Sequence, residues 1–116
     1  MRLAVTADLH WGLDPRGDAA TRELARAVAE LEADVFAIAG DIGEQEAFAG
    51  CLSLFASLKC PRLLVPGNHD VWTREPDGDS RRLYHVDLPR AAADAGFHYL
   101  DDAPWNAGDG LAIVGS

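Results

Sequence analysis

The chain has 116 residues, 48% of them hydrophobic, and 19 acidic against 10 basic residues give a formal net charge of -9. That length and apolar content suit one domain with its own core, residues 1–116, and exclude a disordered tail. The acidic balance argues against a broad phosphate-backbone footprint, so nucleic acid is a disfavoured partner.

Met1 leads straight into a strand pattern with no signal-peptide h-region, and no apolar run approaches the roughly 20 residues that span a bilayer. A soluble, cytoplasmic protein without a membrane partner is the expectation. Along the chain, strand and helix signals alternate. Leu3 to Ala7 is a short strand, followed by a polar loop from Asp8 to Gly17. Asp18 is the expected cap of a helix over Ala19 to Ala33, where Leu24, Val28 and Leu31 recur at helical spacing.

Asp34 to Ala39 is a continuous apolar run that ends in Gly40-Asp41, the pattern of a strand buried on both faces. A second helix is expected over about Glu44 to Leu58, with Phe48, Cys51, Leu52, Phe55 and Leu58 on one side. Pro61 closes it, and Arg62 to Val65 forms the third strand. Asn68-His69-Asp70 then opens a Gly- and Pro-punctuated loop to about Ser80. A helix over part of Arg81 to Ala95, interrupted near Pro89, precedes two short strands, Phe97 to Leu100 and Leu111 to Gly115, the second entered through a Gly108-Asp109-Gly110 turn. The order predicts an α/β fold, a mostly parallel sheet with flanking helices. Cys51 and Cys60 form no Cys-x-x-Cys pair and read as buried free thiols.

Three polar clusters fall at strand ends: Asp8 and His10, Asp41, and Asn68 to Asp70. In an open α/β sheet ligands bind beyond the carboxyl ends of the strands, where the loops converge. Asp8 and His10 are two apart, so a continuing strand would turn both side chains to one side, toward one metal. Asp41 offers two carboxylate oxygens and Asn68 an amide oxygen. A donor set mixing imidazole with oxygen and lacking thiolate suits Mn, Fe, Zn or Co. Two such ions roughly 4 Å apart polarise a phosphoryl oxygen and generate hydroxide, which makes a small phosphoester the natural substrate.

Taken together, Asp8-x-His10, Gly40-Asp41 and Gly67-Asn68-His69-Asp70 resemble the first three signature blocks of the calcineurin-like metallophosphoesterases. The resemblance implies that Asp8 and His10 bind one divalent ion, Asp41 bridges two, and Asn68 binds the second. His69 would face the substrate to stabilise phosphoryl charge or protonate the leaving oxygen, with Asp70 orienting it, and a hydroxide activated by both metals would be the nucleophile. The family fold is a four-layer α-β-β-α sandwich, of which this chain resembles the first half. The family's later Gly-His and Gly-His-x-His elements are not in this sequence, and neither His85 nor His98 has their context. The expectation is therefore the N-terminal portion of a longer phosphoesterase, truncated on its C-terminal side, with one apolar face of its sheet open.

Other readings stand beside this one. The fold could be a non-catalytic remnant serving as a binding or interaction module, or, with less support from the charge, a DNA nuclease. Trp11 and Trp72 either line the substrate cleft by stacking or pack in the core or at the rim. Arg74, Arg81 and Arg82 follow the Asn-His-Asp loop and read as a solvated basic face ahead of a phosphate clamp. His85 and His98 read as partly buried structural residues. Substrate identity, mono- or diester preference, native metal and oligomeric state are left open.

Overall fold

The computed structural model describes all residues, Met1–Ser116. Four short strands, β1 (Leu3–Thr6), β2 (Val35–Ala39), β3 (Arg62–Val65) and β4 (Phe97–Tyr99), form a parallel sheet in chain order. The connections carry α1 (Pro15–Glu30), α2 (Glu46–Ser53) and a helical segment from Ser80 to Asp94.

Parallel neighbours in chain order, each joined by a right-handed crossover, place every connecting helix on the same face of the sheet. The packing agrees. Phe36 and Ile38 of β2 and Leu64 of β3 share one core with Val28 of α1, Phe48, Cys51 and Leu52 of α2, and Leu88 and Ala92 of the last helix. Val35, Ala37 and Leu63 alternate to the other face, where they meet Leu100 and the half-buried Trp105 and Ile113. Burial on both faces is what a continuous apolar run at β2 anticipates.

That second face carries only partial cover. A hairpin of β5 (Trp105–Gly108) and β6 (Leu111–Ile113) supplies it, and Gly115 passes so close that a Cβ there would come within 2.3 Å of Val65. On the β1 edge of the same face, Leu3 is 42% and Val5 59% exposed. The open apolar face expected from the sequence is present, limited to that edge.

The helices depart from their expected bounds for identifiable reasons. α1 begins at Pro15, not after Asp18, because Asp14 is the N-cap: its carboxylate accepts from the Arg16 N–H at 2.8 Å, and Pro15 occupies a first-turn position that needs no N–H donor. Asp18 instead accepts from the Gly12 N–H at 2.9 Å, which ties the β1 loop to the helix. α2 starts two residues later than expected, since Gln45 has a φ of +54° that no helix contains. Beyond Ser53 its chain continues in turns closed by i→i−3 bonds, such as Phe55 N–H to the Leu52 carbonyl.

The last helical segment is α3 (Ser80–Arg82), a π-turn over Leu83–Asp87, and α4 (Leu88–Asp94). Pro89 accounts for the interruption. It has no N–H to donate and its ring crowds the carbonyl four residues back, and the widened turn, in which Leu88 N–H reaches the Leu83 carbonyl, relieves both. β5 was not anticipated. Its turn was: Asp109 and Gly110 both have positive φ, +52° and +76°, as a two-residue type I′ hairpin requires.

Candidate metal centre

The three polar loops leave adjacent parallel strands at their carboxyl ends, so topology alone brings them together. Backbone pairing then carries the alignment past the sheet. Asp8 N–H donates to the Gly40 carbonyl at 3.1 Å, His10 N–H to the Asp41 carbonyl at 2.9 Å, and Trp11 N–H to the Ile42 carbonyl at 2.9 Å.

Asp8, His10 and Asp41 are drawn into one cluster, with one ligand atom from each inside a 4.8 Å sphere of separation. His10 Nε2 lies 3.9 Å from Asp8 Oδ1 and 3.9 Å from Asp41 Oδ2. The route to this arrangement differs from the expected one. β1 stops at Thr6, and Asp8 and His10 take left-handed backbone conformations, φ +56° and +46°, so strand alternation does not aim them. Asp41, at φ +53°, makes a third. Each such residue costs about 1–2 kcal/mol, and strain of this kind concentrates at functional sites.

The donor set fits a divalent cation. Two carboxylates and an imidazole converge while neither Asp8 nor Asp41 pairs with a lysine or arginine. Ligand atoms about 2.1 Å from a common ion stand roughly 3–4 Å apart, and the two His10–carboxylate distances of 3.9 Å fall in that range. Asp41 is the more sheltered carboxylate of the cluster, its side chain 15% exposed against 73% for Asp8. Its Oδ1 accepts from the His69 N–H at 3.0 Å, leaving Oδ2 turned toward His10. Asn68 sits exposed at the same sheet edge.

Two glycines make this contact possible. A Cβ on Gly67 would come within 2.2 Å of Asp41 Oδ1, and one on Gly40, at φ +86°, within 3.1 Å of Gly67 Cα. The Gly-Asp and Gly-Asn-His motifs therefore meet backbone on backbone, a spacing that any side chain would open.

Asp70 is fully buried, and both of its oxygens are taken by backbone donors: Ile42 N–H at 2.8 Å and Gly43 N–H at 2.9 Å on Oδ1, Gly67 N–H at 2.8 Å on Oδ2. Burial raises its carboxyl above the usual range against the pull of those three N–H groups, and the Asp41 charge adds to the rise. The role expected of Asp70 is to orient the His69 ring; its hydrogen bonds run to backbone N–H groups. It staples the Asp41 loop to the Gly67 loop and holds His69 only through the backbone.

The carboxylate near the His69 ring is Glu44, whose Oε1 lies 3.9 Å from Nδ1, with Arg74 3.6 Å from its other oxygen. Glu44 had been assigned to the start of α2. Its place three residues beyond Asp41, in the same loop, was the signal available. The His10 and His69 rings meet edge to face with centroids 5.0 Å apart.

The remaining candidates sort by contact. Trp11 and Trp72 line a cavity with His10, His69 and Arg74. Arg82 pairs with Asp87 at 3.7 Å, as a surface charge would, and Arg81 is exposed. His98 faces the Ala103 carbonyl at 2.7 Å, and both it and His85 stand outside the cluster; His85 is exposed, not partly buried as expected. The cysteines are free thiols, Cys51 buried and Cys60 only partly so. No helix is long and apolar enough to cross a membrane.

A parallel α/β sheet with a carboxylate and imidazole cluster at the ends of its first two strands defines an α/β domain with a candidate metal site. A family model described as calcineurin-like phosphoesterase matches residues 1–115. The chain belongs to the calcineurin-like phosphoesterase family, a family of hydrolases. No curated protein and no solved structure matches it.

Proposed function

We propose that this chain acts in metal-dependent hydrolysis of small phosphomonoesters or phosphodiesters, with two divalent ions, of Mn, Fe, Zn or Co, held by Asp8, His10, Asp41 and Asn68. The observation that carries the reading is the unpaired Asp8–His10–Asp41 cluster at the carboxyl edge of the sheet. Bound ions would supply Lewis acidity to a phosphoryl oxygen and lower the pKa of water.

The chain's own residues do the rest. Asp41 fixes the geometry, since one oxygen holds the His69 N–H while the other faces the ion site. His69 stands beside the cluster with Glu44 3.9 Å from its Nδ1, so a small approach of that carboxylate would favour the proton on Nδ1 and leave Nε2 to meet a phosphoryl or leaving oxygen. Arg74, paired with Glu44 and on the wall of the same cavity, is the cationic side chain nearest to hand for a phosphoryl oxygen.

The test has two readouts. Mn(II) titration followed by electron paramagnetic resonance should show binding that Asp41→Asn weakens at least about tenfold. Hydrolysis of bis-p-nitrophenyl phosphate and p-nitrophenyl phosphate should depend on the added ion. Binding without hydrolysis in either assay would favour the interaction-module reading, and no binding would end the metal reading altogether.

A further inference from the structure

We propose that the cavity beside the metal cluster is a subsite for a flat, uncharged aromatic leaving group, the size of an aryl ring or nucleobase. This rests on the phosphoesterase reading and names its substrate class. The cavity has a volume of about 570 Å³, within the range of small-molecule sites. His10 and His69 form the end nearest the cluster, Trp11 and Trp72 supply its aromatic surface, and Ala47 and Gly50 of α2 contribute only small side chains.

The aromatic surface starts at the reacting end. The Trp72 indole lies against the His69 imidazole with centroids 3.8 Å apart and a 39° tilt, so a group leaving phosphorus near His69 meets indole next. Trp72 is 49% exposed, yet its backbone is pinned because Gln45 Nε2 donates to its carbonyl at 2.8 Å. A large, held and half-bare ring offers stacking area at little ordering cost.

Trp11 is equally fixed. Its backbone pairs with the loop that carries Asp41, and the Arg22 guanidinium sits 4.9 Å from its ring centroid. Gly50 lets the ring settle on α2, since a Cβ there would stand 3.3 Å from Trp11 Nε1.

Charge narrows the class. Glu44 and Glu46 line the cavity against Arg74 alone, and Arg74 already pairs with Glu44. Without bound ions, a leaving group with its own carboxylate would meet this excess of acid, whereas a neutral ring would not. Nucleoside or aryl phosphoesters suit the indole walls better than sugar bisphosphates, which bring no ring to stack.

The experiment needs no metal and no turnover. In an ¹H–¹⁵N correlation spectrum of the whole chain, the three tryptophans give three indole N–H signals, and Trp105, in the hairpin on the opposite face of the sheet, is the internal control. Adenosine should shift the Trp11 and Trp72 signals saturably and leave Trp105 in place, while ribose moves none. Trp72→Ala should raise the adenosine dissociation constant about tenfold, and Trp72→Phe should hold it within a few-fold.

Phenol titrated alongside separates the two sources of the ring: tighter adenosine binding points to a nucleoside, equal binding to a simple aryl group. Unmoved Trp11 and Trp72 signals, an equal shift of Trp105, or wild-type affinity in Trp72→Ala would overturn the proposal. Adenosine binding together with a failure of metal-dependent hydrolysis would sink the phosphoesterase reading and leave the subsite standing. Hydrolysis without adenosine binding would do the reverse.

Discussion

Asp70 shows how much of a site can depend on a residue that never faces substrate. Its two oxygens gather three backbone N–H groups from the Asp41 and Gly67 loops in a place water does not reach. Asp70→Asn turns an amide NH₂ toward at least one of those donors and leaves it unpaired, at a cost of about 2 kcal/mol. Urea unfolding should report that loss, and an unchanged midpoint would mean that the loops are held by other contacts. Gly67 acts on the same junction by sterics alone. With a Cβ due 2.2 Å from Asp41 Oδ1, Gly67→Ala must push the carboxylate away, and Mn(II) affinity should fall at least about tenfold while far-UV circular dichroism stays native. The convergence of Asp8, His10 and Asp41 was legible in the residue order because each follows a strand. The partner of the His69 ring was not, because proximity to Glu44 arises from the packing of two loops 25 residues apart, which no local pattern encodes.

Elements were legible where punctuation was strong. β3 emerged with the bounds read from Pro61 and the Pro66-Gly67 pair, and the hairpin turn followed from Asp109-Gly110. α1 was misjudged because Asp18 was the expected cap, whereas Asp14, followed by a Pro suited to the first turn, is the actual one. α2 was overextended because its apolar face continues to Phe55 in turns that bury the same side chains as a helix would. Those turns leave carbonyls that need donors, and Arg62 at the start of β3 provides them. Its Nη1 donates to the Phe55 carbonyl at 3.0 Å and the Ala56 carbonyl at 2.8 Å, holding the end of the α2 segment to the sheet. Arg62→Ala should lower stability by about 2 kcal/mol in a chemical denaturation measurement, the worth of charge-assisted bonds to one half-buried and one exposed carbonyl. A change within experimental error would place the burden on the Phe36–Phe55 contact instead, whose ring centroids are 4.8 Å apart.

At the scale of the whole molecule, the alternation of strands and helices in the sequence was enough for the α/β layer. The path of the hairpin onto the second face was not readable, because Trp105 and Ile113 find Leu63 and Leu100 across the sheet with no periodicity to announce it. The helix-covered face is the drier one, and at its centre Cys51 is wholly buried, which pushes its thiol up to about 12 from an ordinary 9.0; the Asp70 and Asp18 charges act in the same direction. The sign of the stability effect follows. Below pH 9 the thiol is protonated in both folded and unfolded chains, and its contribution is fully present. Between 9 and 12 the unfolded chain gives up the proton and the folded one does not, so stability falls by about 1.4 kcal/mol per pH unit. Tyr84, raised to about 12 chiefly by the Asp101 carboxylate, and Tyr99, raised by burial, slope the same way, so the comparison must isolate the thiol. Cys51→Ala will be less stable at neutral pH through its lost packing, by about 1 kcal/mol or more. Its stability should nevertheless decline less steeply than that of the wild type from pH 9 upward, so that the two urea midpoints converge. Parallel declines would mean that Cys51 ionises in the native chain as readily as in the unfolded one, and that the core over the sheet admits water.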